Sequence, residues 1–207
     1  MITVHHLENS RSQRVLWMLE ELELPYEVRR YERDPSTMLA PPELRRVHPL
    51  GKSPVIEDQG LTLIETGAIA EYLVEKAGGR LGAPGDQQGK LRYRQFLHYA
   101  EGSLMPVLLL QLVLSKIPLM GRIALRKIRP MIEVHLRFIE SELAQHPWFA
   151  GGEMTAADVL MSFPLEAAAA RAGLGDDYPH IRLWLEKIHA RPAYQRALKA
   201  GGDYAYA

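Results

Sequence analysis

Six breakers crowd into residues 78–89 (Gly78-Gly79, Gly82, Pro84-Gly85 and Gly89), and the character of the chain changes across them. Glycine and proline interrupt both helix and strand, so such a cluster marks the joint between two folding units. Before it, short β-prone runs alternate with amphipathic stretches. After it no strand signal appears. The pattern predicts a small α/β domain over residues 1–77, a linker over 78–88 and an all-helical domain over 89–207. A chain of 207 residues, 47% of them apolar, can bury a core in each.

In the first domain, residues 2–5 read as a strand. Val15, Leu16, Met18, Leu19 and Leu22 recur at helical spacing within residues 12–24. Ser10 or Ser12 stands where the N-cap of that helix belongs, and Leu24-Pro25 ends it. Residues 26–31 form a second strand. Pro41-Pro42-Glu43 opens a short helix that stops before His48-Pro49. Two strands over 55–57 and 61–64 flank Asp58-Gln59-Gly60 as a hairpin, and a helix runs over 66–76. The order β-α-β-α-β-β-α fits a four-stranded mixed sheet flanked by helices. In the second domain, long helices are predicted over 90–116 and 123–145, with Pro106 and Pro130 requiring local adjustment. Thr155-Ala-Ala-Asp158 is a capping box opening a helix over 156–172, and shorter helices follow over 179–190 and 192–199.

Lys plus Arg and Asp plus Glu both number 25, a balance that argues against a broad nucleic-acid footprint. There is no cysteine, which excludes disulfides, thiolate metal ligands and a protein-thiol nucleophile. The N-terminus lacks a basic region followed by an apolar core. The apolar run over residues 104–114 falls short of the roughly 20 residues of a membrane helix. A cytoplasmic protein without a membrane span is the expectation.

Two features point to a small peptide ligand carrying a free carboxylate. Ser53-Pro54 precedes a strand, where an X-Pro bond can expose main chain to an added peptide. Glu65-Thr66 opens a helix, and a helix N-terminus bearing a hydroxyl can hold a carboxylate. Asn9-Ser10-Arg11-Ser12 can offer a hydroxyl to a thiol, although a serine there also serves as a plain cap. Lys52 is either a partner for a second carboxylate or an exposed loop lysine, and His48 is a weaker candidate for the same end. His5 and His6 should face opposite sides of their strand as structural or surface residues, with no metal constellation around them.

His48-Pro-Leu-Gly-Lys-Ser-Pro-Val55, Leu63-Ile-Glu-Thr-Gly-Ala-Ile69 and Gly151-Gly-Glu-Met-Thr-Ala-Ala-Asp158, in this order, resemble the cytosolic glutathione S-transferases over essentially the whole chain. The Asn-Ser-Arg near the N-terminus and Ala-Pro-Pro-Glu-Leu before the loop are similar to the bacterial and fungal branch. The resemblance implies a thioredoxin-like first domain, a helical second domain, a homodimer, and conjugation of glutathione to small hydrophobic electrophiles. It implies Ser10 as the thiol-activating residue, with Ser12 and Asn9 as fallbacks. It implies a cis Ser53-Pro54 bond that presents the Ser53 main chain to the cysteinyl unit. Glu65 and Thr66 would hold the γ-glutamyl end, and Lys52 the glycyl carboxylate. An electrophile pocket between the domains would draw on Tyr99, Ser103 and Met105. Glutathione-dependent peroxidase, isomerase or dehalogenase chemistry, and a non-catalytic binding or assembly module, remain as alternatives on the same fold.

Overall fold

The computed structural model describes residues 1–207 apart from the side chain of Ala172. Contacts gather the chain into two units, Met1–Gly82 with Ile188–Ala207, and Ala83–Lys187. The first contains β1 (Ile2–Leu7), α1 (Ser12–Leu22), β2 (Tyr26–Tyr31), α2 (Leu44–Val47), β3 (Val55–Asp58), β4 (Leu61–Ile64) and α3 (Thr66–Lys76). The strands run in the order β2-β1-β3-β4. β1 and β2 are parallel, with Ile2 opposite Tyr26, because α1 supplies the crossover that parallel neighbours require. β3 is antiparallel to β1, with Val4 opposite Ile56, and antiparallel to β4. Gln59 (φ 50°) and Gly60 (φ 80°) close that hairpin. Two successive positive φ values match the right-handed twist of the flanking strands.

α1 is buried almost all round: every residue from Ser12 to Leu19, and Leu22, is inside. A helix with no wet face must be covered on more than one side. The sheet and α3 cover part of it, and α9 (Pro192–Gly201) covers the rest through Ala193, Tyr194, Ala197 and Gly201. Arg191 grips both oxygens of Glu21, Arg196 meets Glu20 at 2.6 Å, and Tyr194 meets the Trp17 ring edge-on at 5.3 Å. The last helix therefore belongs with the α/β unit, not with the helical domain over 89–207 that the sequence pattern predicts. The N-cap of α1 is Arg11, not Ser10 or Ser12, and no side chain caps it. The Ser12 hydroxyl is instead turned inward, to His6.

Gly201 sits where α9 comes closest to α1 and β1. A Cβ there would lie 2.4 Å from Gln13 Oε1, 3.1 Å from Leu16 Cδ1 and 3.2 Å from His6 Cε1. Gly201→Ala would gain about 0.4–1 kcal/mol by stiffening the unfolded chain. Crowding a packed interior costs about 1–3 kcal/mol, so crowding wins. A melting temperature lower by several degrees is expected. An unchanged or higher one would mean that the contact relaxes freely.

The second unit holds α4 (Gln87–Tyr99), a π-helical segment (Ala100–Leu104), α5 (Met105–Ser115), α6 (Met120–Gln145), α7 (Ala156–Ala172) and most of α8 (Pro179–His189). Asp86 caps α4, accepting the Gly89 amide at 2.8 Å. The single helix predicted over 90–116 is thus broken at residues 100–104. Pro106 has no amide to donate one turn back and its ring crowds that carbonyl, so the hydrogen-bond register widens just before it. The composite run Gln87–Ser115 contains an 18-residue window of mean hydropathy 1.4, long and apolar enough for a bilayer by composition. It sends Tyr93, Phe96, Leu97, Leu104 and Leu108 into the core of its unit, while Leu109, Leu110 and Val113 stay exposed. α7 is the axis of this unit, buried continuously over 155–168. The Thr155–Asp158 capping box forms as the sequence predicts. The Asp158 carboxylate accepts the Thr155 amide at 2.8 Å, the Thr155 hydroxyl at 3.0 Å and the Phe149 amide at 2.9 Å.

Candidate functional site

The end of β1 and the head of α1 carry the predicted thiol-activating residues. Ser10 keeps 6% of its surface exposed and Ser12 none. The two hydroxyl oxygens are 2.7 Å apart. Ser10 Oγ accepts the Ser12 amide at 3.2 Å. Ser12 Oγ also lies 2.9 Å from His6 Nδ1 and 3.3 Å from the Leu7 carbonyl. Both serines are therefore buried, Ser12 completely and Ser10 all but 6% of the residue. Asn9 adopts a left-handed conformation (φ 49°). Its Oδ1 accepts the Ala205 amide at 2.7 Å, so this side chain ties down the C-terminal segment. His6 is buried, and burial together with the Arg30 charge lowers it to about 4. His5 is buried as well, with Nδ1 2.8 Å from the Tyr31 hydroxyl and Nε2 3.0 Å from Glu57. Both histidines lie inside the protein, neither at its surface. Among the described residues no cluster of three His, Asp or Glu side chains could hold a metal.

Ser53 is joined to the same strand end. Its hydroxyl donates to the His5 carbonyl at 2.8 Å and accepts the Leu7 amide at 3.3 Å. The Ser53–Pro54 bond is cis. The side chain does the anchoring, and the main chain of Ser53 does not join the ladder between β1 and β3. Lys52 is exposed and His48 half-buried, with its Nδ1 accepting the Leu50 amide at 3.4 Å.

Thr66 is the first residue of α3, and no side chain caps that helix. The opening amides of a helix have no intrahelical acceptor and carry the positive end of its dipole. Glu65 holds a positive φ of 69°, a strained conformation for a residue with a side chain. It turns the chain so that Glu65 is exposed while Thr66 is 5% exposed. Arg14, from the first turn of α1 and 2% exposed, donates to Thr66 Oγ1 at 3.4 Å. A buried guanidinium and a helix N-terminus are two positive features in one place, and a carboxylate answers both. The sequence reading missed Arg14 as part of this site. Its signal was a charged side chain directly before the apolar run Val15 to Leu19.

In the helical unit, Tyr99 ends α4 beside the π-helical segment and bonds His135 Nδ1. Burial pushes the Tyr99 phenol up to about 12, so it stays a proton donor. Ser103 is half-buried, and Met105 is 3% exposed and packs in the core of that unit. A separate cavity of about 320 Å³ lies among α5, α6 and the chain after α7, lined by Gln111, Arg126, Arg129, Ile132, Leu136 and Tyr178. None of the three predicted electrophile-facing residues lines it.

Comparison with known proteins meets the same two-part plan. Residues 1–75 match the glutathione S-transferase N-terminal domain and residues 121–192 its C-terminal domain. Glutathione S-transferase 3 of Schizosaccharomyces pombe is 38% identical, over 98% of this chain and 89% of its own. A crystal structure of a glutathione S-transferase from Actinobacillus pleuropneumoniae superposes with a TM-score of 0.89 at 34% identity, covering 100% of this chain and 95% of the other. A glutathione transferase family member from Pseudomonas fluorescens, solved with two glutathione molecules bound, gives 0.80 at 27%, covering 95% and 92%. A sheet and a capped helical core in this order, with relatives matched end to end, make the chain a member of the glutathione S-transferase family.

Proposed function

We propose that this glutathione transferase ionises the thiol of its co-substrate glutathione at Ser10 and passes the sulfur to a small hydrophobic electrophile. The observation that carries the reading is Ser10 at the head of α1, which keeps 6% of its surface open beside a fully enclosed Ser12. A free thiol has a pKa near 8.5. Lowering it by about two units takes about 2.7 kcal/mol. A hydrogen bond to a charged acceptor contributes about 1.5–3 kcal/mol and a helix N-terminus about 0.3–1 kcal/mol. The two together suffice. The thiol gives its proton to solvent, and the thiolate then forms a carbon–sulfur bond. In a substitution the leaving group departs with its bonding pair; in an addition the new carbanion takes a proton from solvent.

The Ser53 main chain pairs with the cysteinyl unit as an added strand. The carboxylate of the γ-glutamyl end sits on the Thr66 amide and hydroxyl, and Glu65 meets its ammonium group. Lys52 pairs with the glycyl carboxylate. Tyr99 and Ser103, both half-buried, are assigned to the electrophile; Met105 is enclosed in the core of its unit and is left out. Without cysteine the chain has no protein sulfur for thiol–disulfide exchange. A homodimer belongs to this reading. It is supported by the stripe Met120, Ile123, Met131 and Val134 along α6, which is 67%, 56%, 50% and 68% exposed. So does the cytoplasm, where glutathione is kept reduced.

The test is retention on immobilised glutathione together with turnover of a panel of electrophiles. A protein that neither binds nor conjugates is an assembly module on the same fold. Thr66→Ala removes a hydroxyl and Glu65→Ala a charge partner, and neither touches the sulfur. Each is expected to raise the KM for glutathione by about 5–50-fold with kcat within about threefold, as for the loss of uniform binding. A KM unchanged in both would place the γ-glutamyl end elsewhere.

A further inference from the structure

Behind Ser10 lies a buried chain that thiol activation alone does not call for. Ser10 Oγ, Ser12 Oγ and His6 Nδ1 follow one another at 2.7 and 2.9 Å. The His6 ring also hydrogen-bonds the Gly201 backbone. Nδ1 is taken by Ser12, which leaves Nε2 for Gly201. A carbonyl can only accept, so the ring carries its proton on Nε2 and turns a lone pair towards Ser12. Ser12 has one hydroxyl proton and two acceptors in reach, the His6 lone pair at 2.9 Å and the Leu7 carbonyl at 3.3 Å, and the shorter contact takes it. The proton in the contact between the two serines then has to come from Ser10. A Gly201 carbonyl on Nε2 would thus set the direction of both serine hydroxyls, Ser12 towards His6 and Ser10 towards Ser12.

We propose that Ser12 and His6 are positioning residues for Ser10, holding its neutral hydroxyl in one rotamer until a thiolate arrives to accept its hydrogen bond. The proposal rests on Ser10 being the thiol-activating group. A charged acceptor makes a hydrogen bond roughly twice as strong as a neutral one, so the sulfur draws the proton over by rotation about the Ser10 Cβ–Oγ bond. No covalent bond changes in this step. Ser12 loses a donor but keeps its own proton on His6, so no buried donor is stranded. Ser10 Oγ keeps the Ser12 amide as a donor at 3.2 Å.

The chain is not a route for the thiol proton to His6. Burial and Arg30 hold the imidazole near 4, so a proton leaving an ordinary thiol would climb about four powers of ten. The groups facing His6 support the same assignment. Arg30, from β2, lies close enough to repel an imidazolium and is itself held by the Lys199 and Ala200 carbonyls. Ser12 comes from α1 and Gly201 from α9. No carboxylate appears among the groups that shift the ring.

Two measurements on the full-length protein test this. The first uses no catalytic variant. Nitrogen-15 NMR of the histidines, with His6 assigned from a His6→Gln spectrum, should give a neutral Nε2–H ring from about pH 5.5 to 8.5. An Nδ1–H ring, or an imidazolium in that range, overturns the proposal. The second is steady-state conjugation of glutathione to a chlorodinitrobenzene, with the bound thiolate followed by its ultraviolet absorbance. Ser12→Ala should lower kcat about 3–10-fold and move the acidic limb of the kcat profile up by about half a unit, with the glutathione KM within about twofold. Ser12→Thr, which keeps the hydroxyl, should restore the limb. In a Ser10→Ala background, Ser12→Ala should move it no further. A Ser12→Ala enzyme that melts earlier yet keeps the wild-type limb has lost packing only, and the proposal falls. If Ser10→Ala itself leaves rate and limb unchanged, the assignment of Ser10 fails instead.

Discussion

Ser10→Ala is expected to lower kcat for conjugation by about 10–100-fold, the worth of a hydrogen bond of about 1.5–3 kcal/mol to a charged sulfur. The KM for glutathione should stay within about threefold, because the proposed function assigns the peptide to the Ser53 main chain and the α3 N-terminus instead. The acidic limb of the rate profile should rise towards the ordinary thiol value near 8.5. The sign follows from the hydroxyl stabilising only the anion: without it more of the bound thiol stays protonated at a given pH. Initial rates from about pH 5.5 to 9, with both substrates varied, give kcat, KM and limb together. A wild-type profile would shift the role to Asn9, to Ser12 or to a backbone amide. Asn9 is already engaged by Ala205 and Ser12 by His6, so the backbone would be the stronger successor.

Asp158→Ala should be the most damaging single substitution for folding. Its carboxylate is fully buried and accepts three donors: two amides and the Thr155 hydroxyl. Each buried donor left unpaired costs about 1–3 kcal/mol, so a loss above about 4 kcal/mol is expected, a large share of what holds a domain together. Urea unfolding, or the soluble yield, measures it. A loss below about 1 kcal/mol would mean that water enters and satisfies the three donors. Asp158→Asn keeps one acceptor and should fall between the two.

The same carboxylate sets a pH dependence. Burial pushes it up to about 6, against the hydrogen bonds that pull it down. A folded-state value above the unfolded one means that the native protein binds the extra proton between about pH 4 and 6. The contribution of this group to stability is therefore full below about pH 4 and falls as pH rises to about 6. Urea midpoints of the wild type relative to Asp158→Asn should fall across that window and run parallel above it.

Much of this molecule could be read from short-range pattern. The bounds of β2, the β3–β4 hairpin and α3 follow from period and turn chemistry that span fewer than a dozen residues. The capping box at Thr155 is equally local, since both partners lie within one helical turn. Ser10, Ser53, Glu65 and Thr66 were legible as candidates because each sits at a punctuation mark: a strand end, an X-Pro step or a helix start. Arg14 was not. Its spacing marks it as one more helical residue, and only the approach of α3 makes its charge part of a site. The break at residues 100–104 escaped as well, because a proline in an apolar run does not say whether the helix will kink, stop or widen.

The local sequence determined the elements, their order and the polar groups at their ends, since those depend on φ and ψ preferences and on neighbours a few residues away. Tertiary structure decided which elements share a core. α9 presents an apolar face that would suit any helix, and it lies on α1 because α1 is apolar on the side the sheet leaves open, with Glu20 and Glu21 placed for Arg196 and Arg191. That docking brings the Gly201 carbonyl to His6, nearly two hundred residues away in the chain, and so orients a serine hydroxyl that no local pattern could aim.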